Sequence, residues 1–175
     1  RIMILGVGGL GLQGIQIAKY VGAEVYATSR QDKKLEIAKQ FGADGVINTS
    51  KLNLEKEIAR LTNGEMCDVI FDNIGIRSSI EQALKVLRPG GKIVVVGYND
   101  PEFEANYHGI VIKEKEIIGI RGSSRQNLVE TIHLVEKGIV KPYIYKTYHL
   151  DEINEALEQL RHGASLGRTA VVFDE

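Results

Sequence analysis

The chain has no tryptophan and only one cysteine, Cys67, among its 175 residues. A lone cysteine excludes an internal disulfide and cannot join other cysteines in a metal site. No apolar stretch approaches the roughly 20 residues that span a bilayer. No basic segment followed by an apolar run resembles a secretory signal. With 22 basic and 23 acidic side chains the formal net charge is -1, so no global basic field recruits nucleic acid or an anionic membrane. The expectation is a cytoplasmic protein with neither nucleic acid nor membrane as partner.

Glycine is plentiful, at 19 residues, and apolar residues make up 43% of the chain. That is ordinary for a globular domain able to bury a core. The chain opens at Arg1 inside a strand-like run, as a natural domain can and as a piece cut from a longer protein would.

Short β-rich runs alternate with helical patterns through most of the length. Ile2-Met3-Ile4-Leu5 has no polar alternation, as expected of a strand buried on both faces. A helix follows on Leu10, Ile15, Ala18 and Val21 and closes at Gly22. Val25 to Thr28 is the second strand, and Asp32 is expected to cap a helix that ends at Gly42. Val46-Ile47, 68–72, 92–97 and 117–120 supply four more strands, with helices at 54–61, 80–87 and 126–137. Pro89-Gly90-Gly91 is expected to turn the chain before the strongest strand. Repeated βα units of this length imply right-handed crossovers and a parallel sheet covered on both faces. The fold class is therefore α/β, a doubly wound six-stranded parallel sheet in three αβα layers. Residues 1–140 form that domain. Residues 141–175 form a short tail, with Tyr143, Tyr145 and Tyr148 in an extended stretch, a helix at 151–161 and a strand at 169–173.

The sharpest motif is Gly6-Val7-Gly8-Gly9-Leu10-Gly11, a G-x-G-x-x-G placed directly between a buried strand and a helix. In that context it is the fingerprint of a dinucleotide-binding Rossmann unit. Gly6 permits the turn, Gly8 the approach of pyrophosphate, and Gly11 the close packing of the helix. The helix N-terminus offers free N–H donors to the phosphates. The bland alternative is a glycine turn used only for packing.

A cofactor with a free adenosine 2′-hydroxyl is expected to meet an acidic residue at the end of the second strand. This chain has Ser29-Arg30 there, with Lys33 and Lys34 close behind. Ser29 can donate to a phosphate oxygen, and the Arg30 guanidinium can hold a phosphate or stack on adenine. The expected cofactor is NADP(H), with NAD possible and a merely solvated Arg30 as the alternative.

Beyond the glycine turn, Gln16-Ile17-Ala18-Lys19, Gly22-Ala23, Lys34-Leu35, Gly42-Ala43-Asp44, Leu87-Arg88-Pro89-Gly90-Gly91, Ile153-Asn154-Glu155-Ala156 and Gly167-Arg168 resemble the medium-chain, zinc-type alcohol dehydrogenases and reductases in order and spacing. The resemblance covers essentially the whole chain. It implies that Gly9 and Leu10 share in the phosphate turn and that Gly75, Val96, Gly97 and Tyr98 line the cofactor cleft. It further implies that residues 119–122, including Arg121, flank the nicotinamide, that Arg168 reaches the pyrophosphate and that Lys34 lies near the adenosine ribose. It implies a homodimer through the sheet edge near residues 103–121. The family's catalytic zinc belongs to a second domain with no counterpart here, so no metal and no catalytic residue are expected in this chain. The alcohol or carbonyl substrate would be held by that missing domain, to which the tail would lead, so the strand at 169–173 would be an orphan here. An isolated chain is expected to expose an apolar face and not to turn over.

The remaining candidates are weak. Cys67 sits among apolar residues and reads as a core thiol. His108, His133, His149 and His162 are scattered. Asp68 and Asp72 share a face of one strand and read as solvated strand ends. The runs 55–57 and 113–116, and Glu152 with Glu155, read as exposed helix faces or ends. The alternative functions are a zinc-free quinone or enoyl reductase of the same superfamily, a non-catalytic dinucleotide sensor, and a methyltransferase holding S-adenosylmethionine.

Overall fold

The computed structural model describes residues 1–100, 102, 105 and 107–173. Its main sheet has six strands: β1 (Ile2–Leu5), β2 (Val25–Ser29), β3 (Gly45–Asn48), β4 (Cys67–Asp72), β5 (Leu87–Val95) and β6 (Glu116–Gly119). They lie in the order β3-β2-β1-β4-β5-β6, all parallel. The helices are α1 (Gly9–Tyr20), α2 (Asp32–Gln40), α3 (Leu54–Leu61), α4 (Arg77–Val86), α5 (Tyr107–Ile112), α6 (Arg125–Glu136) and α7 (Ile153–Arg161). The doubly wound reading holds.

Side-chain alternation along the strands builds two cores. Met3 and Leu5 join Ile47, Leu54, Ile58, Ile70 and Val86 on the face covered by α3 and α4. Ile4, between them in sequence, joins Leu12, Ile15, Ala18, Ile37 and Ala38 on the face covered by α1 and α2. Burial on both faces explains why β1 shows no polar alternation. Cys67 is fully buried, and burial pushes its thiol up to about 12, so it is a core residue.

Four local expectations change. Asp32 is the first residue of α2, and Gln31 takes the cap position. Asp32 instead accepts from Asn48 Nδ2 at 2.6 Å and from Lys51 Nζ at 2.5 Å, because β3 ends beside it. Residues 89–91 do not precede β5 but lie inside it. The ladder jumps from Cys67↔Leu87 to Val69↔Lys92, and Gly90, at φ +69, absorbs the irregularity. Asp72 is fully buried, not a solvated strand end. Within the run 113–116, Lys115 donates to the Leu84 carbonyl and Glu116 opens β6, so neither is a free helix end.

The tail also departs from expectation. The strand at 169–173 is no orphan: β8 (Arg168–Val172) pairs in parallel with β7 (Ile144–His149), with α7 between them. Tyr148 and Ala156 are buried within this small unit, which docks through Tyr143 and Leu166 on the α1 face of the main sheet. Apolar surface is left uncovered elsewhere. Leu128, Ile132 and Val135 on α6 are exposed, as are Ile117 and Ile118 on β6.

Candidate cofactor site

The strand order reverses at β1, which has β2 on one side and β4 on the other. Chains leaving β1 and β4 go to opposite faces, and a crevice opens above the carboxyl ends of the strands. A cleft of about 550 Å³ lies there, lined by the glycine turn, the end of β2 and the loop after β4. A larger hollow of about 700 Å³ lies at the opposite end of the sheet. Its charges are already paired, Arg1 with Glu24 and Glu65, and Arg88 with Asp68.

The floor of the cleft is the turn from β1 into α1. Gly6 adopts φ +88, a left-handed conformation, and a β-carbon there would stand 3.0 Å from Ile74 Cγ1. A β-carbon at Gly11 would stand 2.3 Å from the Gly6 carbonyl oxygen, so only glycine lets the helix start so close to the turn. Gly8 is different. None of the described residues lies within 4 Å of the place its β-carbon would take, so its backbone faces open space in the cleft. It precedes the first turn of α1, whose leading N–H groups have no intrahelical acceptor. An open backbone below a helix N-terminus fits a phosphate group.

Above this turn lies a cation. The Arg168 side chain, contributed by β8, runs over Gly9, where a β-carbon would stand 2.3 Å from its Nε. Arg168 is held by its own N–H, which donates to the Tyr143 carbonyl at 2.9 Å. The tail thus brings a guanidinium to the N-terminus of α1 across some 160 residues of sequence.

At the other end of the cleft are Ser29, Arg30 and Lys34. The Ser29 hydroxyl accepts from the Gln31 N–H at 3.2 Å, leaving its own hydrogen free to donate. Burial, followed by the charge of Arg30, lowers the Lys34 ammonium from its ordinary value. Lys34 Nζ also donates to the Gly163 carbonyl at 3.4 Å, so the end of α7 borders this corner. The nearest acid in sequence, Asp32, is engaged by Asn48 and Lys51, and those bonds lower its pKa. Arg30 and Lys34 therefore face the cleft without a carboxylate from Asp32 between them.

The third wall was not legible in the sequence. The Asp72 carboxylate accepts from the N–H groups of Ile74 at 2.8 Å and Gly75 at 3.2 Å, and from the Ser79 hydroxyl at 2.7 Å. It ties the end of β4 to the first turn of α4. Asn73 lies beside it, donating weakly to the Leu5 carbonyl at 3.3 Å, while its buried Oδ1 has no partner among the described residues. Asn73, Ile74, Thr49 and Gln82 line the cleft and were not anticipated. Thr49 could have been, since it directly follows β3 at the carboxyl edge of the sheet.

The anticipated residues divide into groups. Gly6, Gly8, Leu10, Gly11, Ser29, Arg30 and Lys34 line one cleft together. Gly9 lies under Arg168. Gly75 is buried against Gly97, and a β-carbon on it would stand 1.9 Å from the Gly97 carbonyl carbon. The loops after β4 and β5 therefore meet backbone to backbone, and Ile74 and Ile76 present the surface to the cleft. Val96 is half-buried beside them, Tyr98 is 84% exposed, and Arg121 lies exposed beyond β6.

No group of three or more His, Cys, Asp or Glu residues among the described residues could hold a metal, so these residues do not fit zinc. No helix among them is long and apolar enough to cross a membrane.

Residues 9–137 match the family described as zinc-binding dehydrogenase. An NAD-dependent alcohol dehydrogenase of Sulfurisphaera tokodaii is 34% identical over 98% of this chain and 50% of its own length. The acetophenone reductase of Geotrichum candidum, solved in complex with NAD, superposes with a TM-score of 0.86 at 30% identity, over 99% of this chain and 48% of that one. The alcohol dehydrogenase of Aeropyrum pernix gives 0.87 at 30% identity, over 96% and 48%. The chain spans about half the length of these relatives.

Proposed function

The chain belongs to the zinc-binding dehydrogenase family, and from that premise we propose that it is the cofactor-binding part of an NADP(H)-dependent alcohol dehydrogenase or reductase. Residues 1–140 are the dinucleotide-binding domain, and 141–175 are a tail belonging to the catalytic part of the whole protein. The observation that carries this reading is the open backbone at Gly8, below the N-terminus of α1 and beside Arg168, in the crevice where the strand order reverses. Family membership sets aside the methyltransferase reading.

In this proposal the turn of Gly6, Gly8, Gly9, Leu10 and Gly11 holds the pyrophosphate, and Arg168 covers it. Ser29, Arg30 and Lys34 hold the adenosine end. Gly75, Val96, Gly97 and Tyr98 shape the path toward the nicotinamide, and Arg121 flanks it. When bound, the nicotinamide supplies hydride chemistry. The residues of this chain bind and orient it. The alcohol or carbonyl substrate, and zinc, belong to a part of the protein outside this chain, so this chain alone binds cofactor without turnover. The alternative, a zinc-free quinone or enoyl reductase, is separated from it by metal analysis of the whole protein.

NADP(H) over NAD(H) rests on one corner of the cleft. Ser29 stands where a ribose-binding acid would, and Asp32 is engaged by Asn48 and Lys51. One charge-assisted bond from Arg30 or Lys34 to a 2′-phosphate contributes about 1.5–3 kcal/mol, enough for a preference of at least about tenfold. Titration with NADPH and NADH tests this, and comparable dissociation constants overturn it. The Sulfurisphaera tokodaii and Geotrichum candidum relatives are described with NAD, so this corner is where the chain would differ from them.

A homodimer through the outer edge of β6 is part of the proposal. Among the described residues that edge strand has a neighbour on one side only, and all four of its residues are exposed. Phe103, at the start of the expected contact stretch, lies outside the described residues. A monomeric mass in solution overturns this element.

A further inference from the structure

Gln16 lies on the buried stripe of α1 with Leu12, Ile15 and Ala18, where an apolar side chain would be ordinary. It is 9% exposed, and its carboxamide is fully engaged. Nε2 donates to the Leu12 carbonyl and to the Lys141 carbonyl, both at 3.2 Å. Oε1 accepts from the Lys141 N–H at 2.8 Å. Two carbonyls on one side and an N–H on the other fix which way round the amide sits. The side chain thus pairs with both backbone groups of one residue, as a neighbouring strand would.

Lys141 is where the chain leaves the main domain for the tail. Two residues on, Tyr143 packs edge-on against Phe41, with ring centroids 5.8 Å apart. Its carbonyl receives the Arg168 N–H, and a β-carbon on Gly167 would stand 2.4 Å from its ring. The path from Gln16 to Arg168 therefore runs through Lys141 and Tyr143 with little room to slip. Gly9, under Arg168, and Gln16 are about two helical turns apart on one helix. The tail is fastened to α1 at one point and delivers its guanidinium to α1 at the other.

We infer that Gln16 is a positioning residue for the dinucleotide: by clamping the backbone of Lys141 to α1 it sets where Arg168 stands over the pyrophosphate. This rests on the dinucleotide reading of the site, but not on the choice between NADP and NAD. It assigns a task to the buried polar residue of the Gln16-Ile17-Ala18-Lys19 stretch, which the cofactor contacts leave without one.

The test is a double-mutant cycle on the affinity for ADP-ribose, which carries the pyrophosphate but neither nicotinamide nor 2′-phosphate. Gln16→Met keeps the length of the side chain and removes its hydrogen bonds. With Arg168 present it is expected to weaken ADP-ribose by about five- to tenfold. In an Arg168→Ala background the same change is expected to weaken it less than about twofold, since contacts in series do not add. Equal weakening in both backgrounds, or none in the first, overturns the inference. Where Gln16→Met does not fold, Gln16→Glu enters the same cycle. It keeps an acceptor for the Lys141 N–H but sets a carboxylate against two carbonyls, and the same non-additivity is expected. An unmodified protein that does not bind ADP-ribose overturns the dinucleotide reading itself. One that binds normally, but indifferently to Arg168→Ala, overturns only the inference drawn from Gln16.

Discussion

The side chain of Arg168 lies across the α-carbon of Gly9, so that a β-carbon there would stand 2.3 Å from Nε and 2.4 Å from Cδ. The colliding group is the flexible end of an arginine, not backbone. Gly9→Ala should therefore leave the fold intact, and alanine in the first turn of α1 should leave stability level or raise it by up to about 1 kcal/mol. The displaced guanidinium should cost about tenfold in dinucleotide affinity. Thermal melting and cofactor titration on one preparation check the opposed directions, and unchanged affinity would sink the assignment of Arg168.

Ser29 and Arg30 make a paired prediction. Arg30→Ala should weaken NADPH by about tenfold and leave NADH nearly unchanged, since only the former carries the 2′-phosphate. Ser29→Asp should reverse the order of the two cofactors, because a carboxylate accepts from a ribose hydroxyl and repels a phosphate. Dissociation constants for both cofactors in each variant decide this. Parallel changes in NADPH and NADH would contradict it.

Lys34 predicts a pH dependence. Burial, then the charge of Arg30, lowers its pKa below 10.5. A lowered value means the ammonium is lost earlier as pH rises, so a phosphate held by Lys34 should loosen at a lower pH than an ordinary lysine would give. For folding the sign is opposite. The buried charge costs stability below the folded-state pKa, and that cost is relieved as pH rises toward 10.5. NADPH affinity measured across the alkaline range should lose this limb in Lys34→Gln, and an identical profile in that variant would refute it.

Asp72 should matter to the fold before the cofactor. Asp72→Ala leaves the N–H groups of Ile74 and Gly75 without their acceptor, while the Ser79 hydroxyl keeps only the Ile76 carbonyl at 2.9 Å. A loss of about 3 kcal/mol is expected, with Asp72→Asn losing less because it keeps an acceptor oxygen. Chemical denaturation measures both. A neutral Asp72→Ala would mean that the loop after β4 is held in place by its other contacts, Gly75 against Gly97 and the N–H groups of Asn99 and Asp100 on the Gly75 carbonyl.

The sequence by itself determined the doubly wound sheet, because runs buried on both faces alternate with helical periodicity and have few other ways to pack. It also determined the glycine turn, since the spacing of Gly6, Gly8 and Gly11 follows from local backbone demands. The same locality made the end of β2 readable, with Ser29 in the place of an acid. Tertiary structure alone decided what needs distant partners. Asp72 looks like a strand-end carboxylate until the loop after β4 folds over it. Asp32 looks like a helix cap until β3 brings Asn48 and Lys51 to it. The strand that begins at Arg168 looks orphaned until β7 lies beside it, and Gln16 looks like one polar residue in an apolar stripe until Lys141 arrives. Periodicity reports which face of an element is buried. It carries no record of which remote backbone group will meet a side chain there, because that pairing exists only once the chain has closed on itself.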